Sequence, residues 1–256
     1  MAPPSRTEPG VPSDNKKKEA QELADQSLCC RKKADALGLA RRALELDGEC
    51  TDAQVVFARE EVSSPKAMAN HLKIIVDRAE AKLGAPFLHE HRGQLWEIPE
   101  ARPYLRARMA LAVAHEKSGK PVLAILHLKE LLAIDAQDRQ GARYRLVCCL
   151  LAANDLKALA ALLRRWEGEA SAFMAWAAVL ERIRSKTESG AEKALTHARQ
   201  INPYFEEYLT GRRKLPKQVP EITAPGSPEE AASALRLFGE TWANDREGMY
   251  WLFRHS

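Results

Sequence analysis

Long hydrophobic runs are absent from this 256-residue chain, and no stretch approaches the roughly 18 apolar residues that a membrane-spanning helix requires. The first residues, MAPPSRTEPGVPSDNKKK, contain no apolar core of the kind found in a secretory signal peptide. They also lack the arginine- and serine-rich composition of an organellar transit peptide. The sequence therefore predicts a cytoplasmic protein with no membrane association.

Cysteine, glycine and aromatic residues are also scarce. The five cysteines include the adjacent pairs Cys29-Cys30 and Cys148-Cys149, and this odd number with adjacent pairs is a poor framework for disulfide bonds. Reduced thiols that pack as small apolar side chains are expected instead. Glycine supplies 13 residues and aromatics 6% of the chain, whereas the helix formers Ala, Leu, Arg, Lys and Glu are abundant. The composition thus favours an α-helical protein.

Three stretches share one pattern of small and apolar residues. They read ADALGLARRALELDGE at 34–49, KPVLAILHLKELLAIDAQD at 120–138 and GAEKALTHARQINPYF at 190–205. In each, apolar residues recur every three or four positions after a small residue that permits close helix packing. Each stretch ends in Asp or Asn followed by Gly, Ala or Pro, which stops a helix. This pattern is typical of the second helix of a tetratricopeptide repeat.

First helices can be placed upstream of these second helices, so that the chain divides into helical hairpins of similar length. The predicted units span 17–50, 51–84, 105–138, about 140–170 and about 172–205. Five such hairpins are enough to stack into a continuous core. The predicted fold class is therefore all-α: a tetratricopeptide-like solenoid of about five helical hairpins with a C-terminal helical cap.

The chain is predicted to contain three regions. They are a disordered tail rich in Pro and Ser at 1–16, the repeats at 17–205 with an inter-repeat insertion at 85–102, and an extended loop with capping helices at 206–256. Ser227 is predicted to cap the first of these C-terminal helices, with Glu230 completing a capping box.

Three segments carry a resemblance to a known family. The stretch EARPYLRARMALAVAHEKSGKPVLAILHLKELLAID, together with the later INPYFEEYLTGRRKLP and GSPEEAASALRLFGETW, resembles the suppressor of tumorigenicity 7 protein family, in particular its soluble prokaryotic members. The resemblance covers roughly residues 66–253. It implies an α-helical repeat scaffold and no catalytic residues. The membrane association of the eukaryotic members is not expected here, because no membrane segment is present.

The stretch FLHEHRGQLWE, residues 87–97, has two interpretations. His89 and His91 flank a glutamate, which suggests a metal or acid–base site, but they are two residues apart and would point away from each other on a helix. Neither has the i, i+4 spacing of a zinc-binding helix, and no cysteine is close enough to complete a ligand set. We therefore expect a connecting loop held by Phe87, Leu88, Leu95 and Trp96, with no metal site.

Catalytic signatures are also missing. The chain contains no Gly-x-Ser-x-Gly, no phosphate-binding loop and no dinucleotide-binding fingerprint, and Cys148 and Cys149 lie in the leucine-rich stretch RLVCCLLAA. Burial of those thiols would make them unreactive. No enzymatic activity and no cofactor are predicted.

Binding of a protein or peptide partner is the function that helical repeats favour. The concave face of stacked hairpins is formed by the first helices, and an extended peptide or a helix can bind there. The candidate partner-binding residues are Arg102, Tyr104, Arg106, Met109, Val113, Glu116, Lys117 and Tyr144. Arg102 and Arg106 could instead form ion pairs with Glu97 and Glu100, which would make their role structural.

A nucleic-acid-associated scaffold is the alternative. Local basic segments such as GRRKLPK at 211–217 would have to contact phosphates. The net charge is only +4, however, because 39 Lys and Arg are dispersed among 35 Asp and Glu. Nucleic-acid surfaces usually need a concentrated basic patch, so the composition does not favour this alternative.

Overall fold

The structure is a computed structural model that describes residues 13–220 and 222–256. Residues 1–12 of the predicted disordered tail lie outside the described residues. Helix α1 begins at Asp14, three residues before the helical periodicity becomes clear at Lys17.

Helices account for nearly all regular structure in the described residues. The first group is α1 Asp14–Cys29, α2 Lys33–Leu46, α3 Thr51–Glu61, α4 Pro65–Leu83, α5 Ala85–Glu90, α6 Arg102–Lys117 and α7 Pro121–Ile134. The second group is α8 Ala142–Ala152, α9 Leu156–Arg165, α10 Ala172–Arg184, α11 Glu188–Ile201, α12 Tyr204–Leu209, α13 Pro228–Ala243 and α14 Arg246–Arg254. Among the described residues there is no strand, only an isolated bridge between Gln94 and Asp135. The all-α, helical-repeat prediction is confirmed.

Several helix starts follow from local side-chain chemistry. Ser64, Asp155, Ser171 and Ser227 each accept a hydrogen bond at the N-terminus of a helix, from the backbone N–H three residues later. Such caps satisfy backbone donors that have no partner inside the helix. At the turn before α7, Gly119 adopts a φ of 71°, which glycine tolerates without strain.

The described residues form two compact units. The N-terminal unit comprises residues 13–120 and 133–140, and the C-terminal unit comprises residues 121–132, 141–220 and 222–256. In the N-terminal unit, α1 packs against α2 and α3 packs against α4. The first helices of successive pairs also touch, because α3 contacts both α1 and α6. This pattern is that of stacked helical hairpins.

The connection between α4 and α6 is ordered and belongs to the N-terminal unit. It contains α5 and two short 3-10 helices, Leu95–Glu97 and Pro99–Ala101. The amide of Gly93 donates to the carbonyl of Ile134 at 3.1 Å, and the amide of Ala136 donates to the carbonyl of Gly93 at 2.9 Å. Leu95 is fully buried. Backbone pairing and one apolar anchor therefore hold this connection in place.

The C-terminal unit has a different arrangement of its first helices. Here α8 packs against α9, α10 packs against α11, and α8 contacts α10. Helix α13 lies against both α8 and α10, which are the first helices of their pairs. Phe238 of α13 is fully buried, with its ring 4.7 Å from that of Phe173 in α10. A helix from later in the chain thus covers the first-helix face of this unit.

The start of α13 is held by a buried polar network. The carboxylate of Glu230 accepts hydrogen bonds from the amides of Ala172 and Gly226 and from the side-chain amide of Asn202. Asn202 is itself fully buried, and its backbone carbonyl accepts from the Trp176 indole at 3.1 Å. Buried polar groups that are satisfied in this way specify one packing arrangement.

Candidate functional site

A cavity of about 820 Å³ lies in the N-terminal unit. Its walls come from α1, the turn at 47–50, the end of α4 and the start of α6. Two of these elements, α1 and α6, are first helices of their pairs, and α4 is a second helix. We call this cavity the N-terminal groove.

Arg106 forms an ion-pair network at one side of this groove. Its Nε donates to Asp52 Oδ1 at 2.9 Å, and one of its terminal nitrogens donates to Asp52 Oδ2 and, at 3.2 Å, to Asp25 Oδ1. The side-chain amide of Gln21 donates to both carboxylates, at 2.8 Å to Asp52 and 3.0 Å to Asp25. Residues from α1, α3 and α6 therefore meet through one guanidinium group.

One carboxylate of this network, that of Asp52, is buried. Asp52 is only 1% exposed, so its charge depends on Arg106 and Gln21 for stabilisation. Burial by itself would lower the pKa of Arg106, but the hydrogen bonds and charge of Asp52, with the charge of Asp25, raise it above its ordinary value. Arg106 stays positively charged at any physiological pH. Through these contacts Arg106 joins helices α1, α3 and α6.

The remaining charges of the groove are mixed. The basic lining residues are Lys17, Lys18, Lys82, Arg102 and Arg106. The acidic lining residues are Asp14, Glu22, Asp25, Asp47, Glu49 and Glu100. Six acidic side chains against five basic ones give no strong field of one sign. The groove can pair with a ligand that carries both kinds of charge.

The lining also includes an apolar part and one buried thiol. Pro103, Tyr104, Ala79 and Leu83 contribute apolar surface, and Tyr104 is 3% exposed. Cys50 is 4% exposed, and burial raises the pKa of its thiol to about 11. A thiol with so high a pKa is unreactive at neutral pH, so Cys50 is not a nucleophile.

The predicted partner-binding residues are divided between this groove and other places. Arg102, Tyr104 and Arg106 line the groove. Further along α6, Met109, Val113 and Glu116 are half-buried and Lys117 is exposed. Helical spacing puts Arg102, Arg106, Met109, Val113 and Glu116 along one side of α6. The four residues from Met109 to Lys117 do not line the groove.

The alternative ion pairs considered for Arg102 and Arg106 are not the ones that form. Arg102 Nε donates to the carbonyl of Trp96 at 2.9 Å, and its guanidinium lies 5.9 Å from the centre of the Trp96 ring. Glu97 pairs with Arg139 at 2.5 Å. Arg102 therefore fastens the connecting segment to the start of α6, through a backbone carbonyl and an aromatic ring.

Tyr144 lies in the C-terminal unit, in a network of its own. Its hydroxyl donates to Glu169 at 2.5 Å and accepts from Arg143 at 2.7 Å. Burial, followed by the hydrogen bond and charge of Glu169, raises the pKa of Tyr144 to about 12. Its ring also packs edge-on against Phe173 at 5.0 Å. These contacts give Tyr144 a structural role within its unit.

The histidine-containing stretch at 87–97 lies in the connection between α4 and α6. His89 is exposed, while His91 is half-buried, with its ring 4.6 Å from that of Phe87. Phe87, Leu88 and Trp96 are half-buried. In the part of the chain that the structure describes, these two histidines do not belong to a cluster of metal-ligating groups.

Several residues of the groove and of its ion-pair network could not be identified from the sequence. Asp52 follows the start of α3 and looks like an ordinary acidic residue of a first helical turn. Its partner Arg106 is 54 positions away, so no local spacing connects them. The same holds for Lys17 and Lys82, which lie on different helices but line one cavity.

Comparisons with known proteins leave the family open. No family model matches the chain, and no curated protein matches it. Membership of the suppressor of tumorigenicity 7 family is therefore not supported. A solved structure described as YrrB, a TPR protein with an unusual peptide-binding site, aligns with 71% of this chain and 84% of its own, at 18% identity and a TM-score of 0.46.

One structural finding bears on membranes. Over residues 13–220 and 222–256, every helix is too short or too polar to cross a bilayer.

Proposed function

We propose that the chain is a non-catalytic interaction protein that binds a polypeptide segment in the N-terminal groove, against the first helices α1 and α6. The proposed setting is the cytoplasm, as the sequence predicts. The partner segment carries both acidic and basic side chains and presents an apolar residue to the surface around Tyr104 and Leu83. The observation that carries the proposal is a cavity of about 820 Å³ bordered by two first helices.

The lining supports a polypeptide ligand. Lys82 and Lys18 are exposed and can pair with carboxylates, whereas Glu49 is exposed on the turn after α2 and can pair with a cation. Exposed ion pairs contribute little affinity and mainly select the partner and its orientation. The apolar part of the groove lining, which includes Tyr104 and Leu83, would supply most of the binding free energy, because buried apolar area is the main driving force of association.

A nucleic-acid partner has less support from the same surface. Each phosphate contact needs a basic side chain, and a polyanion would face the six acidic residues of the groove as well as its five basic ones. Like charges brought together in this way oppose binding. The mixed charge of the groove therefore favours a polypeptide over a nucleic acid.

The test begins with a selection of short displayed peptides against the full chain. Selected peptides are then measured by calorimetry with the wild type and with Lys82→Glu. We expect Lys82→Glu to weaken binding by about threefold to tenfold, because the charge reversal replaces a modest attraction to the ligand by a repulsion. Peptides that bind the variant as tightly as the wild type would contradict the groove as the site.

Lys66→Glu is the matched control. Lys66 is exposed and lies on the same helix as Lys82, at its other end, and it does not line the groove. The two variants have the same change of net charge. Lys66→Glu should leave the affinity unchanged, and equal losses in both variants would show a general charge effect instead of a contact in the groove.

A further inference from the structure

A second cluster of chemically active groups lies in the C-terminal unit. Glu188 opens α11, Glu192 follows one turn later on the same side of the helix, and His255 follows the end of α14. The imidazole Nε2 of His255 lies 3.7 Å from a carboxylate oxygen of Glu188 and 3.8 Å from one of Glu192. Ligand atoms of all three residues lie within 4.8 Å of one another.

The orientation of the His255 ring is fixed by its neighbours. Its Nδ1 lies 2.8 Å from the carbonyl oxygen of Trp251, and the ring stacks on the Trp251 indole with a centroid distance of 3.9 Å. A carbonyl oxygen can only accept a hydrogen bond, so Nδ1 carries the proton. In this tautomer Nε2 carries a lone pair that can bind a metal ion, and Nε2 is the ring atom near the two glutamates.

Hydrogen bonds from neighbouring side chains also position the carboxylate of Glu188 and the backbone of His255. The indole N–H of Trp251 donates to Glu188 at 3.0 Å, and Arg199 donates to the backbone carbonyl of His255 at 2.8 Å. Metal-binding histidines commonly donate their second ring N–H to a carbonyl, and ligating carboxylates are commonly held by hydrogen bonds. The contacts around this cluster follow the same arrangement.

The spacing of the three groups distinguishes two interpretations. A charged imidazole that donates to a carboxylate would bring nitrogen and oxygen to about 2.7–2.9 Å. The observed 3.7 Å and 3.8 Å are too long for that hydrogen bond. Two ligands about 2.1 Å from a zinc ion in tetrahedral geometry lie about 3.4 Å apart. The observed separations are therefore closer to those of ligands around a shared metal ion.

We propose that Glu188, Glu192 and His255 bind a divalent transition-metal ion of the zinc type. Imidazole nitrogen favours zinc and its neighbours over magnesium or calcium, which prefer oxygen ligands alone. Two carboxylates and one neutral imidazole balance the charge of a divalent ion. All three side chains are partly or largely exposed, so water can complete the coordination. The ion would connect the start of α11 to the segment after α14.

The test titrates zinc chloride into the full, tag-free chain by calorimetry, with tryptophan fluorescence as a second reading because Trp251 contacts both His255 and Glu188. We expect one saturable site. His255→Asn should abolish it, and Glu192→Gln should weaken it by at least about tenfold. Far-UV circular dichroism checks that each variant keeps the helical fold.

His197→Asn is the matched control. His197 is exposed and lies on α11, outside the cluster. This variant should bind zinc as the wild type does. The proposal is overturned if the wild type shows no saturable binding, or if His255→Asn binds as tightly as His197→Asn. Peptide binding in the N-terminal groove does not use these residues, so either proposal can fail without the other.

Discussion

The two units differ in what lies against their first helices. In the N-terminal unit, α1 and α6 border a cavity of about 820 Å³. In the C-terminal unit, α13 packs against α8 and α10 and places Phe238 and Trp242, both fully buried, among the aromatic rings of α10 and α12. The same type of helical surface is thus accessible in one unit and covered in the other.

The difference arises because a later helix, α13, packs against the first helices of the C-terminal unit. The covered face is apolar and aromatic, so the free energy of its burial stabilises the C-terminal unit. The accessible face is lined by charged side chains such as the exposed Lys18 and Lys82, which can remain in water at little cost. Four experiments can test this difference between the two units.

Removal of Phe238 should have the largest effect. Phe238→Ala deletes a fully buried ring that contacts Phe173, and the resulting cavity should lower the free energy of unfolding by about 3–5 kcal/mol. Urea denaturation followed by circular dichroism measures this change. Phe253→Ala is the control, because Phe253 is 57% exposed and should change stability by no more than about 0.5 kcal/mol. Similar effects in both variants would mean that α13 is not an integral part of the core.

Loss of Asp52 should have a comparable or slightly smaller effect in the other unit. Asp52→Ala leaves the guanidinium of Arg106 half-buried beside the more exposed Asp25, and breaking such a pair costs about 3–5 kcal/mol. Asp25→Ala should cost no more than about 1 kcal/mol, because the Asp25 side chain is 56% exposed. Equal losses from Asp25 and Asp52 would contradict the central place of Asp52 in the network.

A fall in pH should lower the stability of the C-terminal unit gradually, in contrast to the two substitutions above. Burial would raise the pKa of Glu206, but hydrogen bonds from Arg199, Ser256 and Arg212 and the charge of Arg199 hold it below its ordinary value. The stability that Glu206 contributes is therefore present above about pH 4.3, the ordinary pKa of Glu, and is lost as the pH falls through its lower folded pKa.

Glu206→Gln measures this contribution. The free energy of unfolding of the variant should depend less on pH than that of the wild type below about pH 4.3. Glu207→Gln is the control, since the side chain of Glu207 is 39% exposed and pairs with Arg213 at 3.4 Å. A wild type and a Glu206→Gln variant with parallel pH profiles would rule out this role of Glu206.

The smallest expected effect concerns a single thiol in the N-terminal groove. With a pKa of about 11, Cys50 has about one thiolate in a thousand molecules at pH 8, and it is 4% exposed. Iodoacetamide should therefore modify the exposed Cys29 well before Cys50, as peptide mass spectrometry can follow. Equal rates at the two sites would show that the floor of the groove opens more than its structure indicates.

The sequence predicted the hairpins well because their signals are local. The cap at Ser227, for example, depends on residues within one helical turn. The Glu230 side chain illustrates the limit of such signals. It was expected to complete a capping box with Ser227, whereas it binds the amides of Gly226 and Ala172 and the side chain of Asn202.

The groove and the covered face could not be predicted in the same way. Asp52 and Arg106 meet only after three helices have stacked, and nothing in their spacing along the chain indicates it. For α13, the amphipathic pattern predicted a helix that covers other helices. It could not specify α8 and α10 as the helices that are covered, because any apolar face of suitable size would satisfy the same pattern.

Hydrogen–deuterium exchange with and without a selected peptide tests the difference between the two units most directly. The expected result is slower amide exchange in α1 and at the start of α6 when the peptide is bound, with α8, α10 and α13 unchanged. A peptide that protects α8 and α10, or that increases exchange in α13 by displacing it, while leaving α1 and α6 unaffected, would contradict the assignment of partner binding to the N-terminal groove.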